Sequence, residues 1–255
     1  MADPRDVNAV QKSLTWLERG IITQQEVIGK LALTLTGESI DGVFETVSPE
    51  HHPLIQTAHL EALQRIADED CLQPEHSPFD DIFHEYHTRV AELLLAPAPG
   101  EPRWPRFTAV RLPSFQPESA LRLVRPRRDF PAVREPMLIL VNANEAIWGP
   151  TIRSVETRRY TRTVRDELAT RLETLWERML LTTRASRHVA MGLDGVTYHF
   201  TFGQKSGQTW SPRPDTRAGR FVEVASTLVR YTTADEIASP GIEAELLAQL
   251  DWFRF

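Results

Sequence analysis

Asp80, His84 and His87 stand at i, i+4 and i+7, a spacing that puts all three on one face of a helix. Carboxylate and imidazole are competent ligands for zinc or iron, and His51 or His52 from another helix could complete a set. The run His84-Glu85-Tyr86-His87 is not the His-Glu-x-x-His of zinc proteases, and a solvated helix face accounts for the same pattern. A second group is basic. Lys205 lies in a glycine-flanked turn, and Arg217 and Arg220 lie in the first turn of a helix that Asp215 or Thr216 can cap. Helix N-termini favour anions and arginine strengthens that preference, so Lys205, Arg217 and Arg220 form a candidate anion site. Arg122, Arg125, Arg127, Arg128 and Arg134 form a further basic cluster able to meet phosphate. It lacks the interleaved aromatics that stack on single-stranded bases, so nucleic acid is not an expected partner.

Other chemistry is missing. The lysine of Gly203-Gln204-Lys205-Ser206-Gly207 precedes the second glycine, which excludes a Walker loop. No Gly-x-Ser-x-Gly nucleophile elbow and no dinucleotide-binding glycine fingerprint occur. The single Cys71 rules out an internal disulfide framework and fits a reducing compartment. No run approaches the roughly 20 apolar residues that span a bilayer, and residues 1–30 lack the pattern of a secretory signal. The expected location is the cytoplasm, with no membrane contact and no cofactor.

The elements that position these residues follow from periodicity. Val7, Val10, Leu14 and Leu17 mark one face of a helix over 5–19, with Gly20 as its stop. Thr23 and Glu26 form a capping box, Ile22 and Val27 a hydrophobic staple, and a helix runs from 24 to about 36, closed by Gly37. The run Gly20-Ile21-Ile22-Thr23 with Glu26 and Lys30 is similar to the short SHOCT motif of many bacterial proteins, and the capping pattern accounts for all of these residues. Ser48-Pro49 and Ser77-Pro78 read as two more helix starts, the second leading an amphipathic helix over 78–95.

Past residue 95 the pattern changes. Four prolines in residues 96–105 favour an extended linker. Strands follow at about 106–112, 119–124 and 137–141, with a more exposed one over 152–161. Residues 163–183 carry the apolar stripe of a long helix. Residues 196–202 alternate as a half-buried strand, which the 203–207 turn folds into a hairpin. Helices over 217–231 and 241–250 complete the chain, and Trp252, Phe253 and Phe255 suggest a docked terminus or a partner surface.

The expected fold is therefore α+β: an N-terminal helical bundle, then a mostly antiparallel sheet packed by two long helices. Its expected divisions are an acidic helical lobe over 1–95, a proline-rich linker over 96–105 and a basic lobe over 106–255. Residues 1–95 hold 17 Asp/Glu and 6 Lys/Arg, whereas residues 96–255 hold 18 and 23, so the formal charges are −11 and +5. Of the 29 basic residues 26 are arginine, as either a GC-rich genome or selection for bidentate anion contacts would produce. These features favour a bacterial cytoplasmic protein-interaction module, of an immunity or antitoxin kind, whose acidic lobe covers a protein partner. The alternative is an enzyme or sensor that binds a phosphate-bearing ligand at the basic lobe. The balance tilts away from an enzyme, because catalytic motifs are lacking.

Overall fold

The computed structural model describes residues 4–34, 41–44, 46–74, 80–126, 133–148, 155–185 and 194–253. It is a mixed α+β protein with a six-stranded antiparallel sheet. No helix among the described residues is long and apolar enough to cross a membrane. The chain divides into two compact units, Met1–Asp68 and Glu69–Phe255.

The first unit is helical: α1 (Pro4–Glu18), α2 (Gln24–Thr34), the single turn α3 (Asp41–Phe44), a 3-10 turn at Pro49–His51 and α4 (His52–Glu69). Val10, Leu14, Val27, Leu31, Val43, Ile55, Ala58 and Ala62 form its core. The capping box is present. Thr23 N–H donates to Glu26 Oε2 at 2.7 Å, and Glu26 N–H donates back to Thr23 Oγ1 at 3.3 Å. Ile22 packs on the cluster that contains Val27, as a staple requires. Gly20 ends α1 in the left-handed conformation, φ 65°. Pro49 opens the 3-10 turn, but the Ser48 hydroxyl donates to Glu50 instead of capping the backbone. Gly37 and Ser77-Pro78 lie outside the described residues.

The second unit runs through α5 (Asp80–Val90), a π-helical turn at Ala91–Leu95, β1 (Phe107–Pro113), β2 (Ser119–Val124), β3 (Met137–Ala143), β4 (Thr157–Thr163), α6 (Asp166–Leu181), β5 (Val196–Phe202), β6 (Lys205–Trp210), α7 (Arg217–Thr233) and α8 (Ser239–Trp252). The strand order is β4-β3-β2-β1-β5-β6. Strands β1 to β4 make a meander; after α6, β5 joins the free side of β1 and the β6 hairpin extends the sheet. The 203–207 turn is shorter than the sequence suggests. Gly203, φ 60°, and Gln204 alone reverse the chain, and Lys205 already belongs to β6. A two-residue hairpin with glycine first matches the right-handed strand twist.

Alternation along the strands creates two cores. On one face Phe107, Leu121, Leu123, Leu138, Leu140 and Phe200 share a cluster with Leu172, Trp176 and Met179 of α6, Phe221 and Leu228 of α7, and Leu246 of α8. Trp176 is its centre. Its ring stacks on Phe107 with centroids 4.0 Å apart and meets Phe221 at 4.5 Å, and its indole N–H donates to the Thr108 carbonyl at 3.1 Å. On the other face Val110, Ala120, Ile139 and Val141 pack with Val90 and Leu94.

The unit boundary does not fall at 96–105. That segment lies inside the second unit, and Arg122 holds it there. This side chain is 1% exposed on β2, and its guanidinium donates to the Leu95 carbonyl at 2.9 Å and to Glu101 at 3.1 Å. Arg159 of β4 donates to both Glu101 oxygens, at 2.7 and 2.8 Å, and to the Ala96 carbonyl at 3.1 Å. The Ala98 N–H completes the set on Glu101 at 2.9 Å. The prolines stop a helix, but buried charge fixes the path that they leave open. Divided at the structural boundary, residues 1–68 hold 10 acidic and 5 basic residues and residues 69–255 hold 25 and 24, net −5 and −1. Much of the apparent charge split is therefore internal to one unit.

Glu101→Ala is expected to destabilise the protein by about 3–5 kcal/mol in urea denaturation, because it strands the buried Arg122 charge. Arg159→Ala, at a half-exposed position, should cost clearly less. In the first unit, the bonds from Thr23 hold the Glu26 carboxyl below the usual carboxylate range. This cap contributes fully above that range and is lost as pH falls through the lowered value. Thr23→Ala should flatten the acid limb of α2 unfolding followed by circular dichroism.

Candidate functional site

Thr216 caps α7: its hydroxyl accepts from Gly219 N–H at 3.0 Å and donates to the Arg213 carbonyl at 2.7 Å. Gly219 has no alternative there, since a Cβ would stand 1.9 Å from the Arg213 oxygen. Asp215 does not cap. It binds Arg213 at 2.7 and 3.1 Å, and that guanidinium holds its carboxyl below the ordinary range. The N–H of Arg217 donates to Asp70 Oδ1 at 2.9 Å. A carboxylate of the chain itself thus occupies the anion-attracting end of α7.

Of the three candidate anion residues, Arg220 lines two open grooves, and Lys205 and Arg217 line neither. Lys205 Nζ meets Glu177 Oε1 of α6 at 3.3 Å. Arg220 binds Glu223 at 3.1 Å and lies over the Trp252 ring, 5.8 Å from its centroid. Two open grooves flank Arg220 and Glu223. One, of about 330 Å³, runs past Glu245, Gln249 and Trp252. The other, of about 450 Å³, runs past Pro212, Pro214, Asp215 and Val222. Neither is lined by Lys205 or Arg217. Trp252 is 46% exposed, while Phe253 turns into the core. The end of α8 is therefore both docked and presented, and residues 254–255 lie outside the described residues. Arg230 and Glu245, 2.5 Å apart, and the Gln249 amide donating to Thr227 at 3.1 Å brace the groove between α7 and α8.

Of the other basic cluster, Arg122 and Arg125 are taken up in internal pairs, while Arg134 is exposed. Arg122 is buried as described above. Arg125 bonds Glu173 at 2.7 Å, Asp166, and Thr170 at 2.8 Å, all on α6. Arg127 and Arg128 lie outside the described residues. Arg162 donates to Ser239 at 2.6 Å and to the Ala234 carbonyl, and it lies 5.0 Å from the Tyr231 ring centroid. Tyr231 in turn donates to Glu243, which also holds Arg165. Burial first, and then the Glu243 charge, push the Tyr231 phenol up.

Among the described residues no three or more His, Cys, Asp or Glu side chains converge as a metal site. His84 is exposed on α5, and His87 meets the His199 ring edge-on at 5.8 Å. The Asp80 side chain lies outside what the structure describes. In the first unit His51 pairs with Glu18 at 3.1 Å and His52 with the Val47 carbonyl at 3.2 Å.

One charged centre has no signal in the sequence. Glu118, immediately before β2, is fully buried. Its carboxylate accepts from Ile147 N–H at 2.7 Å, Trp148 N–H at 3.3 Å and the Tyr86 hydroxyl at 2.8 Å. Burial, followed by Glu118, drives the Tyr86 phenol strongly up. With three donors already aimed at it, Glu118 is an anchor that ties α5 to the loop after β3. Comparison with known proteins finds no matching family model, no matching curated protein and no matching solved structure.

Asp70→Ala should lower stability by about 1 kcal/mol, as loss of a helix-terminal anion does. It should also make the melting temperature rise more steeply with sulfate than in the parent protein, because the Arg217 N–H is then free to take an external anion. A thermal-melt series in sodium sulfate against sodium chloride checks both.

Proposed function

We propose that this chain is a protein-interaction module that holds a protein partner on the α7–α8 surface. The observation that carries the reading is the pair of open grooves meeting at Arg220 and Glu223, with the half-exposed Trp252 ring on one side and Pro212 and Pro214 on the other. Tryptophan and arginine side by side are the residue types that dominate interface energetics, since they combine a large apolar face with a fixed hydrogen-bonding edge. The grooves are open, which suits a protein surface better than the enclosed cavity of a small-molecule site.

In this reading residues 1–68 act as a helical bundle, the protein works in the cytoplasm, and the partner is recognised in an immunity- or antitoxin-like manner. The steering charge for a basic partner is then the −5 of residues 1–68 rather than the −11 of residues 1–95. The reading of a phosphate-bearing ligand has less support, because Lys205 and Arg220 are already matched by Glu177 and Glu223.

Affinity purification from the native host, run in parallel with the parent, Arg220→Glu and Trp252→Ala proteins, tests the proposal. The expected result is a specific partner recovered with the parent and lost with both variants, each variant keeping its circular dichroism spectrum. Equal recovery with all three proteins, or no partner at low salt, overturns it.

A further inference from the structure

The two edges of the sheet are treated differently. On β6, Gln73 pairs with Gln208 by two backbone hydrogen bonds of 2.8 Å, so a segment of the same unit covers that edge at Gln208. On β4, the bonds from Asn144 N–H to Glu156 and from Val164 N–H to Pro136, with the β3–β4 register, assign the even-numbered residues to the β3 ladder. The N–H and C=O groups of Thr157, Arg159, Thr161 and Thr163 therefore point away from the sheet. Among the described residues no backbone group bonds to them. Thr157, Thr161 and Thr163 are exposed and Arg159 is partly exposed.

We infer that the β4 edge is a strand-addition site for an acidic, extended segment of a partner protein. An unpaired row of donors and acceptors is a template for one more strand, with main-chain bonds supplying affinity and flanking side chains supplying selectivity. The charge along β4 selects the occupant. Its sequence, Thr-Arg-Arg-Tyr-Thr-Arg-Thr, holds three arginines and no carboxylate. Arg159 and Arg162 are engaged with Glu101 and Ser239. Arg158 is exposed, lies over the Tyr160 ring at 5.0 Å, and has no ion pair among the described residues. A Glu or Asp on an added strand would find that cation directly across from it. A second copy of β4 paired antiparallel about Tyr160 would not, because that register sets Arg158 against Arg162, and like charges directly opposite are destabilising. The exposed threonines suit cross-strand hydroxyl contacts in either case. This edge is independent of the α7–α8 grooves, and its test needs no native partner.

The probe is a labelled seven-residue peptide of alternating glutamate and valine, with its lysine–valine counterpart as control, titrated by fluorescence anisotropy at low and high salt. Residue-resolved amide exchange by NMR follows the same mixture. The expected result is salt-sensitive binding of the glutamate peptide alone, with new protection at the amides of Thr157, Arg159, Thr161 and Thr163. Arg158→Glu should weaken binding by roughly fivefold, as reversal of a cross-strand pair implies. Thr161→Pro removes an outward N–H while the Tyr160 and Arg162 bonds to β3 stay in place, so it should abolish binding and keep the fold. Binding that survives Thr161→Pro, protection elsewhere than at these four amides, or equal binding of the lysine peptide overturns the proposal. So does sedimentation showing a dimer of the parent protein that Thr161→Pro dissociates, since a second copy would then own the edge.

Discussion

A guanidinium sealed inside a sheet imposes more on this protein than any other single group. Arg122 sits on a central strand with almost no exposure, and its charge must be met where water does not reach. Glu101 and the Leu95 carbonyl meet it, so the chain after α5 has to turn back over the sheet at that point. Burial lowers the Arg122 pKa, and Glu101 works against that by favouring the charged form. Arg159 shares the same carboxylate, which joins β4 to the network. The π-helical turn at Ala91–Leu95 and the proline segment thereby become one face of the second unit, together with Val90 and Leu94. A buried network of this kind fixes one path among many that an apolar surface would accept.

The opposite face depends on shape rather than charge. Trp176 packs between Phe107 and Phe221 and still satisfies its indole N–H, so α6 and α7 are both referred to β1 through one side chain. Arg162, Arg165, Tyr231 and Glu243 then link β4, the start of α6, α7 and α8 at the surface. Their function is to hold α8 in place, which in turn fixes the position of Trp252.

The arginine excess takes on a different meaning in this light. Arg122, Arg125, Arg159, Arg162 and Arg165 serve as internal counterions and carbonyl donors, and the attractive end of α7 is filled by Asp70. Bidentate geometry is put to use within the chain. Other arginines face outward, among them Arg220 beside Trp252 and Arg158 on the open edge of β4. The proposed interaction role rests on those two places, one a groove between helices and the other the outer edge of β4.

Elements were legible from the residues because their signals are local. The alternation of 196–202 and the stripe of α6 follow from repeats of two and 3.6 residues, the apolar run at 137–141 reflects a strand buried on both faces, and β5 falls where its alternation puts it. The capping box of α2 was legible for the same reason. The partners of the charged residues were not. Arg122 finds Glu101 across 21 positions, Arg162 finds Ser239 across 77, and Asp70 finds Arg217 across 147. Nothing in the neighbourhood of those residues encodes their meeting. The same gap displaced the expected boundary, since prolines and a change of charge sign mark 96–105 along the chain while packing and buried charge assign it to the second unit. Glu118 shows the limit most plainly: a lone acid before a strand became a fully buried anchor only once Tyr86 and the loop after β3 had folded around it. Backbone periodicity is a property of neighbours in sequence, whereas the environment of a charge is a property of neighbours in space.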